Sequence, residues 1–217
     1  MKKYLLSFAL AFMGLTAFGQ TAYEKSMTEK VAKLETVKSA EDFQTLANDF
    51  ERISRIDQNQ WLPVYYIAYS YIQKGRAQMN AGKKDELLTY SGAAEKYLMQ
   101  AESIAGKDNS EIHLLKKMAY SLRMMENPQQ RYMTDGVKAA EELKTAEQLD
   151  PTNPRIALIK AEDMYFTPEQ YGGSKTKGIE LFKQALEKFN AFKPKSALDP
   201  NWGKGEAQYF ISQGAKK

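Results

Sequence analysis

Side chains that could act as nucleophiles or metal ligands are sparse in this 217-residue sequence. His113 is its single histidine and cysteine is absent, so a Ser-His-Asp relay or a histidine-based metal site would have to use His113. His113 stands at the start of a predicted helix beside Leu114 and Leu115, and no Gly-x-Ser-x-Gly motif accompanies it. We therefore predict a structural or surface histidine, and no catalytic, metal-binding or cofactor-binding residue.

Acidic side chains are the other source of chemistry, because a pair of carboxylates can hydrolyse a glycan. The spacing of the acids selects no such pair from the candidates Asp57, Glu111, Glu162, Asp163 and Glu169. Acids on helices of this composition usually lie on solvated faces or pair with lysine. A non-enzymatic protein is therefore favoured, with an envelope hydrolase or glycan-binding accessory protein as the alternative.

Tyrosines give better support for a binding surface than the acids give for a reaction centre. Tyr65 and Tyr69 follow Trp61 in one predicted helix and lie four residues apart, so they share a face. Tyrosine combines a large contact area with a polar tip and loses little entropy on binding. Packing between helices is the alternative role for each of these tyrosines.

Later helices add basic and aromatic side chains at the same helical spacing. The residues predicted to continue the surface are Lys116, Tyr120 and Arg123, followed by Arg155 and Tyr165. A groove lined by these residues is aromatic with a basic middle. Such a groove suits an extended peptide that carries a carboxylate, held by charge-assisted hydrogen bonds.

A second candidate contact region follows Pro128. Arg131, Tyr132 and Met133 fall in the longest stretch of added length between two predicted helices. Insertions in repeat proteins collect on one face, which is often the binding face. We predict that this turn is an exposed partner contact.

The elements that would position these residues are predicted to be helical nearly throughout. Helix-forming residues dominate, and long runs of alternating β-type residues are missing. The helices are predicted near residues 23–38, 41–57, 61–80, 84–105, 110–126, 129–149, 154–166, 175–192 and 202–213.

Three of these helices share one spacing of small and large apolar residues. It places two small residues and one large residue on a single helical face, which suits close packing against a neighbouring helix. The three copies are Ala94-x3-Leu98-x2-Ala101, Ala139-x3-Leu143-x2-Ala146 and Gly178-x3-Phe182-x2-Ala185. In the middle copy Pro151 follows at the distance expected for the end of a repeat.

This pattern resembles the second half of a tetratricopeptide repeat, with Leu143 in the position that is usually aromatic. The segments 60–66 and 165–173 are also similar to segments of exported bacterial tetratricopeptide-repeat proteins without an established activity. The resemblance implies an all-α solenoid of stacked antiparallel helical hairpins. Comparison with the repeat period predicts enlarged turns inside each hairpin, with helices that are simply longer as the alternative.

The N-terminus is predicted to be a secretory signal peptide spanning residues 1–19. Lys2 and Lys3 precede a short apolar run, and Ala17 and Gly19 provide small residues before the predicted cleavage site. No cysteine follows, so a lipoprotein is excluded. Residues 20–58 are predicted to form a helical pair, and residues 59–217 the repeat array.

Charge argues against a nucleic-acid partner. Two lysines and no acid lie in the predicted leader, so its removal lowers the net charge by two, from +4 to +2. A mature chain this close to neutral lacks the basic footprint of nucleic-acid binding. We therefore expect a non-catalytic periplasmic or secreted scaffold that binds a peptide or protein and has no membrane span, with a structural subunit of an envelope complex as a further alternative.

Overall fold

The computed structural model describes residues 22–214, and within that range every regular element is helical. The predicted all-α fold class is thereby confirmed, whereas the predicted signal peptide lies outside the described residues. In chain order the helices are α1 (22–33), α2 (Ala40–Ser54), α3 (Trp61–Asn80), α4 (Leu87–Ala105), α5 (Ser110–Met124), α6 (Pro128–Arg131), α7 (Val137–Leu149), α8 (Pro154–Phe166), α9 (Lys175–Ala191) and α10 (Lys204–Gly214).

Helices that follow one another in the chain pack against one another. Contacts join α2 to α3, α3 to α4, α4 to α5, α5 to α7, α7 to α8, α8 to α9 and α9 to α10. The connections are short, so paired helices run in opposite directions. Of the described helices, none is long and apolar enough to cross a bilayer.

The repeated spacing marks the positions where paired helices approach most closely. Ala94, Leu98 and Ala101 are fully buried in the core, as are Phe182 and Ala185. The equivalent positions of α7 are also buried, except that Leu143 is only partly covered.

A glycine stands in the third copy because α8 and α9 leave no room for a larger residue. A Cβ atom added to Gly178 would lie 2.7 Å from the Cβ atom and 2.9 Å from the Cα atom of Tyr165. The repeated pattern is therefore a packing device.

The predicted added length between paired helices takes a different form in each pair. In the first pair the helices themselves are long, since α3 has 20 residues and α4 has 19. Between α5 and α7 the chain forms α6 and a π-helical turn, Tyr132–Gly136. Between α8 and α9 it forms a 3₁₀ turn, Glu169–Tyr171. The turns of the second and third pairs are thus the enlarged ones.

Candidate ligand-binding surfaces

The face of α3 that was predicted to line an open groove is covered by the chain itself. The segment between α9 and α10 returns across α3, where the Tyr66 hydroxyl donates a 2.8 Å hydrogen bond to the Leu198 carbonyl oxygen. Trp202, at the end of this segment, is only 1% exposed. Its ring lies against Tyr69, with the ring centroids 4.7 Å apart.

A buried chain of hydrogen bonds fixes this contact. The Trp202 indole Nε1–H donates to the Tyr65 hydroxyl oxygen at 2.9 Å, and the Tyr65 hydroxyl donates to Glu111 Oε2 at 2.8 Å. Arg155 Nε and Nη2 donate to Glu111 Oε1 at 2.9 and 2.6 Å, which balances the buried carboxylate with a buried guanidinium. Burial, and next the Glu111 carboxylate, raise the pKa of the Tyr65 phenol, so the phenol stays protonated and acts as a donor.

Tyr65, Tyr69 and Arg155 are buried in this structure, so their contact with a partner stays a prediction that the packing does not support. Their polar atoms and rings are already used by Glu111 and Trp202. A signal for this outcome was present in the sequence, because a tryptophan near the end of a helical array has a large apolar surface to bury.

The predicted basic middle of the groove also does not form, because its side chains pair with nearby acids. Lys116 Nζ lies 2.7 Å from Glu102 Oε1. Arg123 forms an ion pair with Glu95. Two cations lie near the Tyr120 ring, with the Arg123 guanidinium 5.8 Å and Lys138 Nζ 5.6 Å from its centroid. Helical spacing identified residues that share a face, but neighbouring helices supply the acids that neutralise that face.

The turn between α5 and α7 is exposed, as the sequence predicts. Tyr132 is 64% exposed and Met133 is 74% exposed. Arg131 is half-buried and its Nη1 lies 3.1 Å from Asp135 Oδ2. Beside this turn lies a shallow pocket of about 300 Å³ lined by Tyr132, Gly136, Val137, Ala140, Glu141 and Lys144, and we call this region the inserted-turn surface. Short π-helical turns occur frequently at functional sites.

A second exposed aromatic area lies at the C-terminal end of the array. Tyr165 and Phe166 at the end of α8 meet Tyr209 and Phe210 of α10, and we call these four residues the aromatic surface. Ring centroids are 5.1 Å apart for Tyr165 and Phe166, 5.4 Å for Phe166 and Phe210, and 5.3 Å for Tyr209 and Phe210. Phe182 supports them from the core, since its ring stacks on Phe210 at 4.7 Å.

Two rings of the aromatic surface are open to solvent, because Phe166 is 60% and Tyr209 is 58% exposed. A cation lies nearby, with Lys175 Nζ 6.0 Å from the centroid of the Tyr165 ring. Tyr165 was predicted as a contact on the same groove as Tyr65, but it belongs to this separate surface. Phe166 and Tyr209 were not predicted. The signal was two pairs of adjacent aromatics, because neighbouring residues on a helix point about 100° apart, so a helix covered on one side only leaves one of them exposed.

Three of the five acids considered for hydrolysis, Glu111, Asp163 and Glu162, contact basic side chains. Glu111 pairs with Arg155, and Asp163 lies 2.5 Å from Lys117 Nζ. Arg76 Nη2 lies 3.1 Å from Glu162 Oε1, and the same nitrogen lies 2.8 Å from an oxygen of Glu206 on α10.

Glu162 nevertheless has an unusual environment. Burial, together with the nearby Glu206 carboxylate, raises the pKa of Glu162 to about 8, although Arg76 opposes the shift. Arg76 also contacts Glu206 on α10. The charge of Glu162 therefore affects the ion pair that holds α10 against α3 and α8.

Comparison with known proteins identifies a relative of this chain. No protein-family model matches it, and no curated protein matches it either. Among solved structures the chain is similar to the HusA haemophore from Porphyromonas gingivalis. The two share 34% sequence identity with a TM-score of 0.75, over 89% of this chain and 92% of that one. The chain therefore belongs to the same family as the HusA haemophore.

Proposed function

We propose that this chain is a non-catalytic exported binding protein that captures haem, and that the aromatic surface holds the porphyrin. The observation that carries the proposal is the relationship to HusA, whose description as a haemophore names its ligand. Similarity over nearly the whole of both chains supports a shared ligand class. Within this proposal the pairs α3–α4, α5–α7 and α8–α9 are tetratricopeptide-like repeats, and the packing of their small residues supports that assignment.

The chemistry of haem fits the aromatic surface. A porphyrin is a broad, flat apolar ring, and the exposed rings of Phe166 and Tyr209 offer it stacking and edge contacts. Tyrosine is also one of the side chains that bind haem iron, and Tyr209 is accessible for that role. Lys175 and Lys177 are exposed in the first turn of α9, where ammonium groups suit the haem propionates.

Position in the array adds a second argument. Terminal units of helical repeat proteins usually present a polar outer face to solvent. Here the last described helix exposes aromatic rings instead, and large exposed apolar patches commonly mark binding sites. The face of α3 is a poorer candidate, because Trp202 already fills it.

The test is a titration of the purified mature chain with haem, in which binding is monitored by the change in Soret absorbance. We expect saturable one-to-one binding that is weakened in a variant carrying Phe166→Ala and Tyr209→Ala. Each aromatic contact contributes about 0.5–1.5 kcal/mol, so the double substitution should raise the Kd by about 5- to 150-fold. The matched control is Tyr132→Ala, which removes a similarly exposed tyrosine from the inserted-turn surface and should leave the Kd unchanged. Absence of saturable binding in the parent chain would count against the whole proposal.

A protein or peptide partner on the inserted-turn surface is the second candidate function. It is favoured by the exposure of Tyr132 and Met133 beside a pocket with an apolar floor. Cross-linking in intact cells followed by mass spectrometry tests it. The cross-links formed by the parent chain should disappear in a Tyr132→Ala, Met133→Ala variant and persist in Met99→Ala, a control that removes an equally exposed methionine from α4. Cross-links that survive the double substitution would argue against this surface.

Export has its own test. N-terminal sequencing of the protein from the envelope or medium should begin at Gln20, the first residue after the predicted leader. A mature protein that retains Met1 would contradict cleavage. Gel filtration of the same material separates a free binding protein from a subunit that is always part of a larger complex.

A further inference from the structure

Three potential metal ligands converge where α4 ends and α5 begins. Glu102 lies in the last turn of α4, Asp108 in the connection, and His113 in the first turn of α5. One ligand atom from each of these residues lies within 4.8 Å of the others. The connection is short, so the helix ends hold the three side chains in a defined arrangement.

His113 carries the stronger part of the argument, because its two ring nitrogens have different surroundings. Nδ1 lies 2.5 Å from Glu142 Oε2 on α7, and this carboxylate accepts the ring proton there. The proton on Nδ1 leaves the lone pair on Nε2. The Nε2 atom is buried and has no hydrogen-bond partner among the residues described, and the side chain is only 13% exposed.

An unpaired buried nitrogen costs free energy, and the structure offers no proton donor to it. The nearest carboxylate oxygen is Asp108 Oδ1, which lies 3.9 Å from Nε2. That distance is too long for a hydrogen bond but close to the separation of two ligands on one metal ion. Two ligands at about 2.1 Å from a tetrahedral Zn²⁺ lie roughly 3.4 Å apart.

We infer that Glu102, Asp108 and His113 bind a divalent transition-metal ion, with Zn²⁺ as the best match. Imidazole and carboxylate ligands suit zinc, and a carboxylate behind the histidine is the usual arrangement at such sites. Glu142 occupies that supporting position. Lys116 holds Oε1 of Glu102 at 2.7 Å and leaves the second oxygen for the metal, and water completes the coordination. The isolated histidine that suggests a structural role in the sequence thus gains three carboxylates from its surroundings.

Binding would tie together parts of three helices. The metal joins the end of α4 to the start of α5, and Glu142 extends the connection to α7. A ligand that binds only the folded state stabilises it by mass action. The site is independent of the haem proposal, since none of its residues belongs to the aromatic surface, so either proposal can fail alone.

The experiment is isothermal titration of the haem-free, chelator-treated mature chain with Zn²⁺ at pH 7.5. The test variant is Asp108→Asn, because Asp108 is largely exposed and its replacement leaves the core intact. The control is Asp85→Asn, the same substitution at an exposed position in the connection between α3 and α4. We expect one site per chain, a Kd raised at least tenfold in the test variant, and a Kd within twofold of the parent in the control.

Nuclear magnetic resonance of the imidazole identifies the site directly. Zn²⁺ should shift the His113 Nε2 resonance in the parent and in the control. Zn²⁺ should also raise the melting temperature of the parent, and this increase should be lost in Asp108→Asn. The inference is overturned if zinc does not bind, if Asp108→Asn binds as tightly as the parent, or if zinc binds while the His113 resonances stay unchanged.

Discussion

Replacement of Trp202 by alanine should lower the free energy of unfolding by about 3.5–6.5 kcal/mol. The side chain is almost completely buried, its ring packs on Tyr69, and its Nε1–H donates to the Tyr65 hydroxyl. The following residue, Gly203, has a φ of +104°, and an added Cβ atom would lie 2.6 Å from Leu158 Cδ2. The backbone beside Trp202 is therefore already packed closely against Leu158, which limits how far the segment can move to fill the cavity.

The magnitude follows from separate contributions. Truncation of a buried tryptophan to alanine costs about 3–5 kcal/mol through lost burial and the cavity that remains. The lost hydrogen bond adds about 0.5–1.5 kcal/mol. The Tyr65 hydroxyl still donates to Glu111, so the substitution leaves no buried donor unpaired. Trp202→Phe keeps an aromatic ring on Tyr69 but loses the Nε1–H and some volume, so its expected cost is about 1–3 kcal/mol.

The assay is urea denaturation followed by circular dichroism at 222 nm, with linear extrapolation to zero urea. The control is Trp61→Phe, because Trp61 is half-buried at the edge of the core. This substitution should lower the free energy of unfolding by less than Trp202→Phe does. The expected order of destabilisation is Trp202→Ala, then Trp202→Phe, then Trp61→Phe. A loss below 1 kcal/mol for Trp202→Ala would refute the reasoning and would restore an open groove on α3.

Three other substitutions probe the packing and the buried charges. Gly178→Ala should destabilise the protein by about 1–3 kcal/mol because the added methyl overlaps α8, whereas Gly92→Ala, with open space around it, should be neutral or stabilising in the same urea assay. Arg155→Met should cost about 3–5 kcal/mol of unfolding free energy because it leaves Glu111 charged and buried, and a loss below 1 kcal/mol would contradict that role. Burial and a neighbouring carboxylate raise the pKa of Glu162 from 4.5 to about 8, so the folded state holds a proton that the unfolded state releases. The free energy of unfolding should therefore fall between about pH 4.5 and 8, by at most about 1.4 kcal/mol per pH unit, and Glu162→Gln should flatten this dependence. Urea unfolding of both proteins at four pH values in this range checks the prediction. Equal slopes in the parent and in Glu162→Gln would contradict it.

Local sequence patterns were sufficient to predict the helices and the residues at their closest contacts. The bounds predicted for the helices at 61–80 and 154–166 agree with α3 and α8. The spacing around Ala94 and Gly178 located the packing faces, because close approach of two helices restricts residue size at fixed intervals. These properties depend on residues a few positions apart, which is the range that sequence patterns reflect.

The candidate site was harder to predict because it depends on which element covers each face. The Trp202 indole bonds to Tyr65 across 137 residues of sequence, and no local spacing encodes that contact. Helical spacing placed Tyr65 and Tyr69 on a common face correctly, but it did not reveal that the returning segment fills that face. The exposure of Tyr132 was predictable, since added length between packed helices must lie outside the core.

The most direct test of the haem proposal maps the ligand on the protein. Isotope-labelled mature chain is titrated with gallium protoporphyrin IX, a diamagnetic haem analogue, and ring-current shifts are measured residue by residue. The account predicts saturable shifts that are largest at Phe166, Tyr209 and Phe210, with little change at Tyr132 and Met133. Shifts concentrated at Tyr132 and Met133 would contradict the assignment of the surface, and the absence of any saturable shift would contradict haem binding itself.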